Sequence, residues 1–158
     1  MATYARVLCT SPAVPTVRQV LQWTADDGYH LELDPEFARV GLDSPDWHQV
    51  GLIHKMGKSS VWIEIDDDAD DEDSLVRQEV AQFEQEVSKK AASMNRGKVL
   101  AHLANTCCIV AIETPFDFDE YGAEVVSSIL GYFIEHCGGL VQADGYGFYE
   151  GEDLILEE

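Results

Sequence analysis

Residues 99 to 158 contain no lysine and no arginine. Twelve aspartates and glutamates stand in that block, within a 158-residue chain of formal net charge −20. So local a lack of base excludes a protein that grips nucleic acid through its phosphates, which takes Lys and Arg. It equally disfavours docking on anionic lipid. Long apolar runs are missing too, and none approaches the roughly 18 residues that span a bilayer. The opening Met1-Ala2-Thr3-Tyr4-Ala5-Arg6 has no apolar stretch of secretory length behind a basic end. Cysteine is sparse: Cys9, Cys107, Cys108 and Cys137 form no dense framework of the kind that staples small secreted domains. The expectation is reduced, buried thiols in a cytoplasmic protein.

Motifs of chemistry are also lacking. Asp66, Asp68 and Asp70 have the alternate spacing of a calcium loop, but such a loop needs glycine at position six and glutamate at position twelve. Asp71 and Arg77 stand there. The run from Asp66 to Asp73 therefore reads as a solvated approach to a helix. His30, His48, His54, His102 and His136 make no helical His–Glu pair and no Cys/His ligand spacing. His136 suits the carbonyl end of a helix. Cys137 beside it diverges from it on a helix end, so the two make no nucleophile–base pair. There is no Gly-x-Ser-x-Gly elbow, no P-loop and no dinucleotide fingerprint. No catalytic, cofactor-binding or metal-binding residue is assigned.

What is present is a foldable chain. Hydrophobic residues make up 46%, which separates it from a disordered acidic tail. The length fits one domain, residues 1–158. Tyr4 to Thr10 reads as a first strand, stopped by Ser11-Pro12. Thr16 caps a helix with Val17, Val20, Leu21 and Thr24 on one face, ended by Asp26-Asp27-Gly28. Tyr29 to Asp34 alternates like a strand, and residues 35–45 read as loop with a turn of helix. Val50–His54 and Ser60–Ile65 form a hairpin about Met56-Gly57-Lys58. Leu75 to Ala92 is a helix with the stripe Val76, Val80, Phe83, Val87. A short helix over residues 95–105 precedes the most apolar strand, Thr106–Ile112, expected at the sheet centre. Asp119 to Cys137 is the clearest helix. It sets Gly122, Ala123, Val126, Ile129, Leu130 and Phe133 opposite Glu120, Glu124, Ser127, Ser128, Gly131 and Glu135. Gly138-Gly139 stops it. Three short strands close the chain at Leu140–Ala143, Tyr146–Glu150 and Asp153–Leu156.

Strand, Ser11-Pro12, helix, Asp27-Gly28, strand recurs as strand, Thr114-Pro115, helix, Gly138-Gly139, strand. Two β-α-β units with added hairpins build a ferredoxin-like α+β fold: a mostly antiparallel sheet with helices packed on one face.

The most distinctive segment is Asp144-Gly145-Tyr146-Gly147-Phe148-Tyr149-Glu150-Gly151-Glu152-Asp153. One reading is a tight hairpin with Gly at turn and bulge positions. The other is a contact surface, in which Tyr offers amphipathic area and carboxylates accept Arg. Together with Thr106-Cys107-Cys108-Ile109-Val110, an acidic loop and a long helix, this segment resembles the acidic protein inhibitors of ribonuclease E, the B-type regulators of ribonuclease activity. The resemblance covers the last third of the chain. It implies a ferredoxin-like, non-enzymatic, inhibitory protein.

Two classes of function follow. The first is a small acidic binding or regulatory protein that engages a basic protein partner such as a nuclease or toxin. Its candidate contact residues are Asp117, Asp119, Glu120, Glu124, Asp144, Tyr146, Tyr149, Glu150, Glu152 and Asp153. The second is a small enzyme or divalent-metal protein using Asp117, Asp119 or Asp144, which needs burial or a neighbour to separate carboxylate pKa values. A third reading, adaptation to high salt, implies no partner. The amphipathic helices are compatible with a closed core or with a homodimer interface.

Overall fold

The computed structural model describes residues 3–13, 15–67 and 73–158. The acidic run therefore lies mostly outside the described residues. The elements are β1 (Thr3–Cys9), α1 (Val17–Asp26), β2 (Glu32–Leu33), a 3-10 turn (Pro35–Phe37), β3 (Gln49–Ile53), β4 (Val61–Asp66), α2 (Leu75–Ser88), α3 (Met94–Ala104), β5 (Cys108–Thr114), α4 (Glu120–Cys137), β6 (Leu140–Ala143), β7 (Gly147–Glu150) and β8 (Asp153–Glu157). All eight strands join one antiparallel sheet in the order β2-β3-β4-β5-β1-β6-β7-β8.

Each helix starts where a side chain satisfies its orphan N–H groups. Thr16 and Gln19 form a reciprocal capping box before α1. Ser74, Ser93 and Asp119 accept from Arg77 N, Arg96 N and Gly122 N before α2, α3 and α4. Helix α2 ends at Ser88 and not Ala92, because its buried stripe ends at Val87. Strand β2 keeps two residues of the six expected. Tyr29 N is bonded to Thr24 O at the end of α1, and Asp34 turns away to cap the 3-10 turn and accept from Ser60 Oγ at 2.6 Å. Strand β5 starts at Cys108 because Thr106 closes α3, with its N–H on Leu103 O and its hydroxyl on His102 O.

The helices lie on both faces of the sheet, not on one. Val7, Cys9, Cys108, Val110, Ile112 and Val141 pack with α1 and α4. Leu8, Ile109, Leu140 and Phe148 point the other way and pack with α2 and α3. The cause is the composition of the central strands. Val7, Leu8 and Cys9, and Cys108, Ile109 and Val110, are all fully buried, so both faces need a cover. Eight strands also exceed a simple two-unit fold. The two β-α-β units are not built alike: three strands separate β1 from β2, whereas β1 alone separates β5 from β6.

Helix α4 corrects a second expectation. Ser128 is buried, its hydroxyl donating to Asp27 Oδ2 at 2.6 Å and its carbonyl accepting from Trp23 Nε1 at 3.0 Å. A polar seam thus joins α1 to α4 where charge patterning predicts solvent. Gly138 caps α4 in the left-handed conformation at φ 65°. Gly139 then crosses β1 so closely that an added Cβ would collide with Val7 Cγ1. Gly139→Ala is expected to destabilise the fold by about 1–3 kcal/mol through overpacking, read as a lower urea midpoint at unchanged slope.

Candidate functional site

The register decides which candidate residues meet. Thr3 pairs Thr114, while Ala5 pairs Ala143, which in turn pairs Gly147. The β5–α4 loop and the β6–β7 turn therefore leave the sheet at the same end. That end gathers Asp117, Asp119, Glu120, Asp144 and Tyr146. The β7–β8 turn, with Glu152 and Asp153, leaves from the opposite end. The ten candidate residues are divided by the length of the sheet.

Several of them are tied to cations folded in from earlier in the chain. Asp119 Oδ2 lies 3.5 Å from Lys55 Nζ. Its carboxyl is held below the usual range first by the Gly122 N–H it caps, then by Lys55 and Lys58. Asp117 Oδ2 accepts from the amide and hydroxyl of Ser59, and its carbonyl accepts from Lys58 Nζ at 3.0 Å. Asp144 Oδ1 accepts from Arg6 Nη1 at 2.7 Å, and Glu150 Oε2 bridges Lys98 Nζ at 2.8 Å. Glu124 accepts from the Tyr29 hydroxyl at 3.3 Å. Of the twelve carboxylates in residues 99–158, Asp119, Asp144 and Glu150 make ion pairs, and the other nine make none among the described residues.

Two concavities border these groups. The first is a trough of about 540 Å³ between α4 and β6–β7, on the face covered by α1 and α4. Leu130, Gly131 and Ile134 form one wall, Val141 and Ala143 the floor, and Tyr146 and Tyr149 the other wall. No lysine or arginine lines it, and Glu152 stands at its rim. Tyr149 pairs across the sheet with Leu154, which is exposed on the same face. The second, of about 480 Å³, lies on the opposite face between α2 and β6–β7. There Arg6 gives Nε to Glu79 and Nη1 to Gln142 and Asp144. Its guanidinium lies over the rings of Tyr4 and Phe83 at 5.6 and 5.8 Å. Sequence reasoning missed this clamp. The available signal was a lone arginine directly before the buried run Val7-Leu8-Cys9.

A third cluster was also missed. His54 is buried, and neither ring nitrogen has a hydrogen-bond partner among the described residues. The ring packs on Phe118 and Tyr121 at 4.6 and 6.1 Å. Buried Asp117 Oδ1 is likewise unbonded. The remaining polar residues favour structure over chemistry. His136 Nδ1 sits 2.8 Å from Tyr132 O, and its ring stacks on Tyr132 at the end of α4. All four cysteines are free. Cys9 Sγ donates to Val7 O at 3.6 Å, and the neighbouring thiols of Cys108 and Cys137 together with burial push its thiol far above the ordinary value, which keeps it protonated and unreactive. Among the described residues no group of three or more His, Cys, Asp or Glu is placed to hold a metal ion, and no helix is long and apolar enough to cross a membrane.

No family model matches the chain. Comparison with curated proteins and with solved structures likewise finds no match.

Burial lowers the His54 pKa from 6.5, opposed by Asp119 and Asp117 and reinforced by Lys55 and Lys58. The unfolded chain then binds a proton more readily than the folded one, so stability is lost as pH falls below about 6.5. The His54 ring should titrate below 6.5 by NMR. Stability of His54→Leu should fall less steeply between pH 6.5 and 5 than that of the parent. An equal slope in both would show that His54 protonates freely in the fold.

Proposed function

We propose that this protein is an acidic binding protein that engages, and by occupancy inhibits, a basic protein partner of the nuclease or toxin class. The observation that carries this reading is the set of nine C-terminal carboxylates without an ion pair among the described residues. Uncompensated charge of one sign raises the encounter rate with an oppositely charged surface, toward about 10⁸–10⁹ M⁻¹s⁻¹ at low salt. The target surface would be a cationic nucleic-acid groove, whose charge these carboxylates match in place of phosphate. Because the candidate residues leave both ends of the sheet, the field belongs to the C-terminal half as a whole and not to one face.

The resemblance to the ribonuclease E inhibitors draws limited support from the fold. Strands β5 and β6 run parallel on either side of β1 and are joined by α4, the split β-α-β arrangement of ferredoxin-like sheets. A cytoplasmic setting belongs to the same proposal, since four free thiols, three of them buried, suit a reducing compartment.

The test uses ribonuclease E and a set of basic nucleases. Association with at least one should slow markedly between about 50 and 300 mM salt, as the screening length falls below about 10 Å, with a smaller change in dissociation. Bound protein should compete with RNA for the nuclease. Capture that is indifferent to salt, or failure to displace RNA, would end this reading.

A further inference from the structure

We infer that the trough between α4 and β7 is the seat of one amphipathic, cationic helix supplied by the partner. This rests on the reading above that the partner is basic, and it adds where and in what form that partner docks. The layers of the fold point to a helix. On this face the core formed with α1 and α4 reaches past β6 only at half-buried Tyr149 of β7. On the opposite face α2 and α3 extend their cover to Phe148, Ile155 and Leu156 of β7 and β8. Beyond Tyr149, β7 and β8 are therefore covered on one face and open on the other. Strands repeat at about 4.8 Å, so two of them leave a strip of roughly 10 Å. Packed helices sit about 8–10 Å apart, which makes that strip one helix wide.

The trough suits such an occupant. Its lining is mainly apolar and includes Tyr146, which is 65% exposed, while Leu154, the cross-strand partner of the lining residue Tyr149, is 41% exposed. Gly131 lies inside α4, two turns before its end, in the trough wall. An added Cβ there would meet nothing closer than the Trp23 indole at 3.9 Å. Internal packing therefore does not require glycine at this position, although glycine inside a helix is unfavourable relative to alanine. A smooth wall admits close approach of an incoming helix. Charge selects the occupant: no cation lines the trough, and Glu152 rims it. A second copy of this chain would bring a net charge of −20 against its like, whereas lysines and arginines flanking an apolar stripe would be drawn in.

The experiment titrates isotope-labelled protein with two synthetic peptides of 18 or so residues, the length of about five helical turns. One sets Leu along a single helical face with Lys elsewhere. The other has the same composition with Leu spread around the helix. The amphipathic peptide should shift the amides of Gly131, Ile134, Val141 and Tyr149 and bind about tenfold more tightly than its scrambled counterpart, the ratio one good apolar contact confers. Gly131→Ala should raise the urea midpoint of the protein yet weaken this peptide. Leu154→Lys, at an exposed position, should weaken it too with the fold intact. Equal binding of both peptides, or shifts spread over the acidic surface, would overturn the seat while leaving salt-dependent capture of a basic protein standing. Binding in the trough that ignores salt would keep the seat and discard the electrostatic reading. No shift in the trough with either peptide would overturn the inference outright.

Discussion

Strands β1 and β5 pair antiparallel through seven residue pairs at the centre of the sheet, and where Val7-Leu8-Cys9 meets Cys108-Ile109-Val110 every side chain is fully buried. A strand that buries consecutive residues must be covered from both sides. That requirement places α1 and α4 on one face and α2 and α3 on the other. It also sets the boundaries of the concave surfaces. The two helix pairs are offset across the sheet, so the centre is covered on both faces while α2 and α3 extend further over β7 and β8 than α1 and α4 do. The trough beside α4 is the bare part at β7 and β8. The candidate docking surface thus follows from the apolar pattern of two central strands, of which only β1, through Ala5, reaches it.

The few cations act inside this architecture as ties between distant segments. Arg6 joins β1 to α2 and to the residues after β6. Lys55 and Lys58 join the β3–β4 turn to the β5–α4 loop. Lys98 joins α3 to the end of β7. The exposed pairs Lys55–Asp119 and Lys98–Glu150 contribute little, about 0–1 kcal/mol each, whereas Arg6 is largely buried. Their arrangement still matters for the field outside the protein. These positive charges are engaged at joints, while Glu120, Glu124, Glu135, Glu152 and Asp153 are exposed to solvent.

Much of the fold is legible in the residues. The cap at Thr16, the stripe from Val76 to Val87 and the Gly138 stop locate three helices because each is a local signal. The alternation of Val61, Ile63 and Ile65 locates β4 and its buried face. What was not legible depends on contacts distant in sequence. Ser128 has the composition of a solvent face and is buried because Asp27 and Trp23 of another segment complete its hydrogen bonds. The two-sided cover could have been suspected from Val7-Leu8-Cys9, but which helix covers which face is set by chain crossing, not by pattern. The site was legible as charge and illegible as geometry. Composition gives the anionic block, whereas the separation of Asp144 from Glu152 by the length of the sheet comes from register.

Strand β1 finds both neighbours late in the chain. Thr3 pairs with Thr114 and Leu8 with Leu140, so each partner lies more than a hundred residues downstream. Contacts this distant make for slow closure, since loop entropy is lost before pairing compensates it. On a ribosome β1 emerges first and waits, its apolar residues uncovered, until β5 and then β6 have been made. Strands β5 and β6 complete the centre of the sheet, and β7 and β8 then add one rim. Synthesis must therefore run nearly to its end before any stable intermediate can contain a finished core.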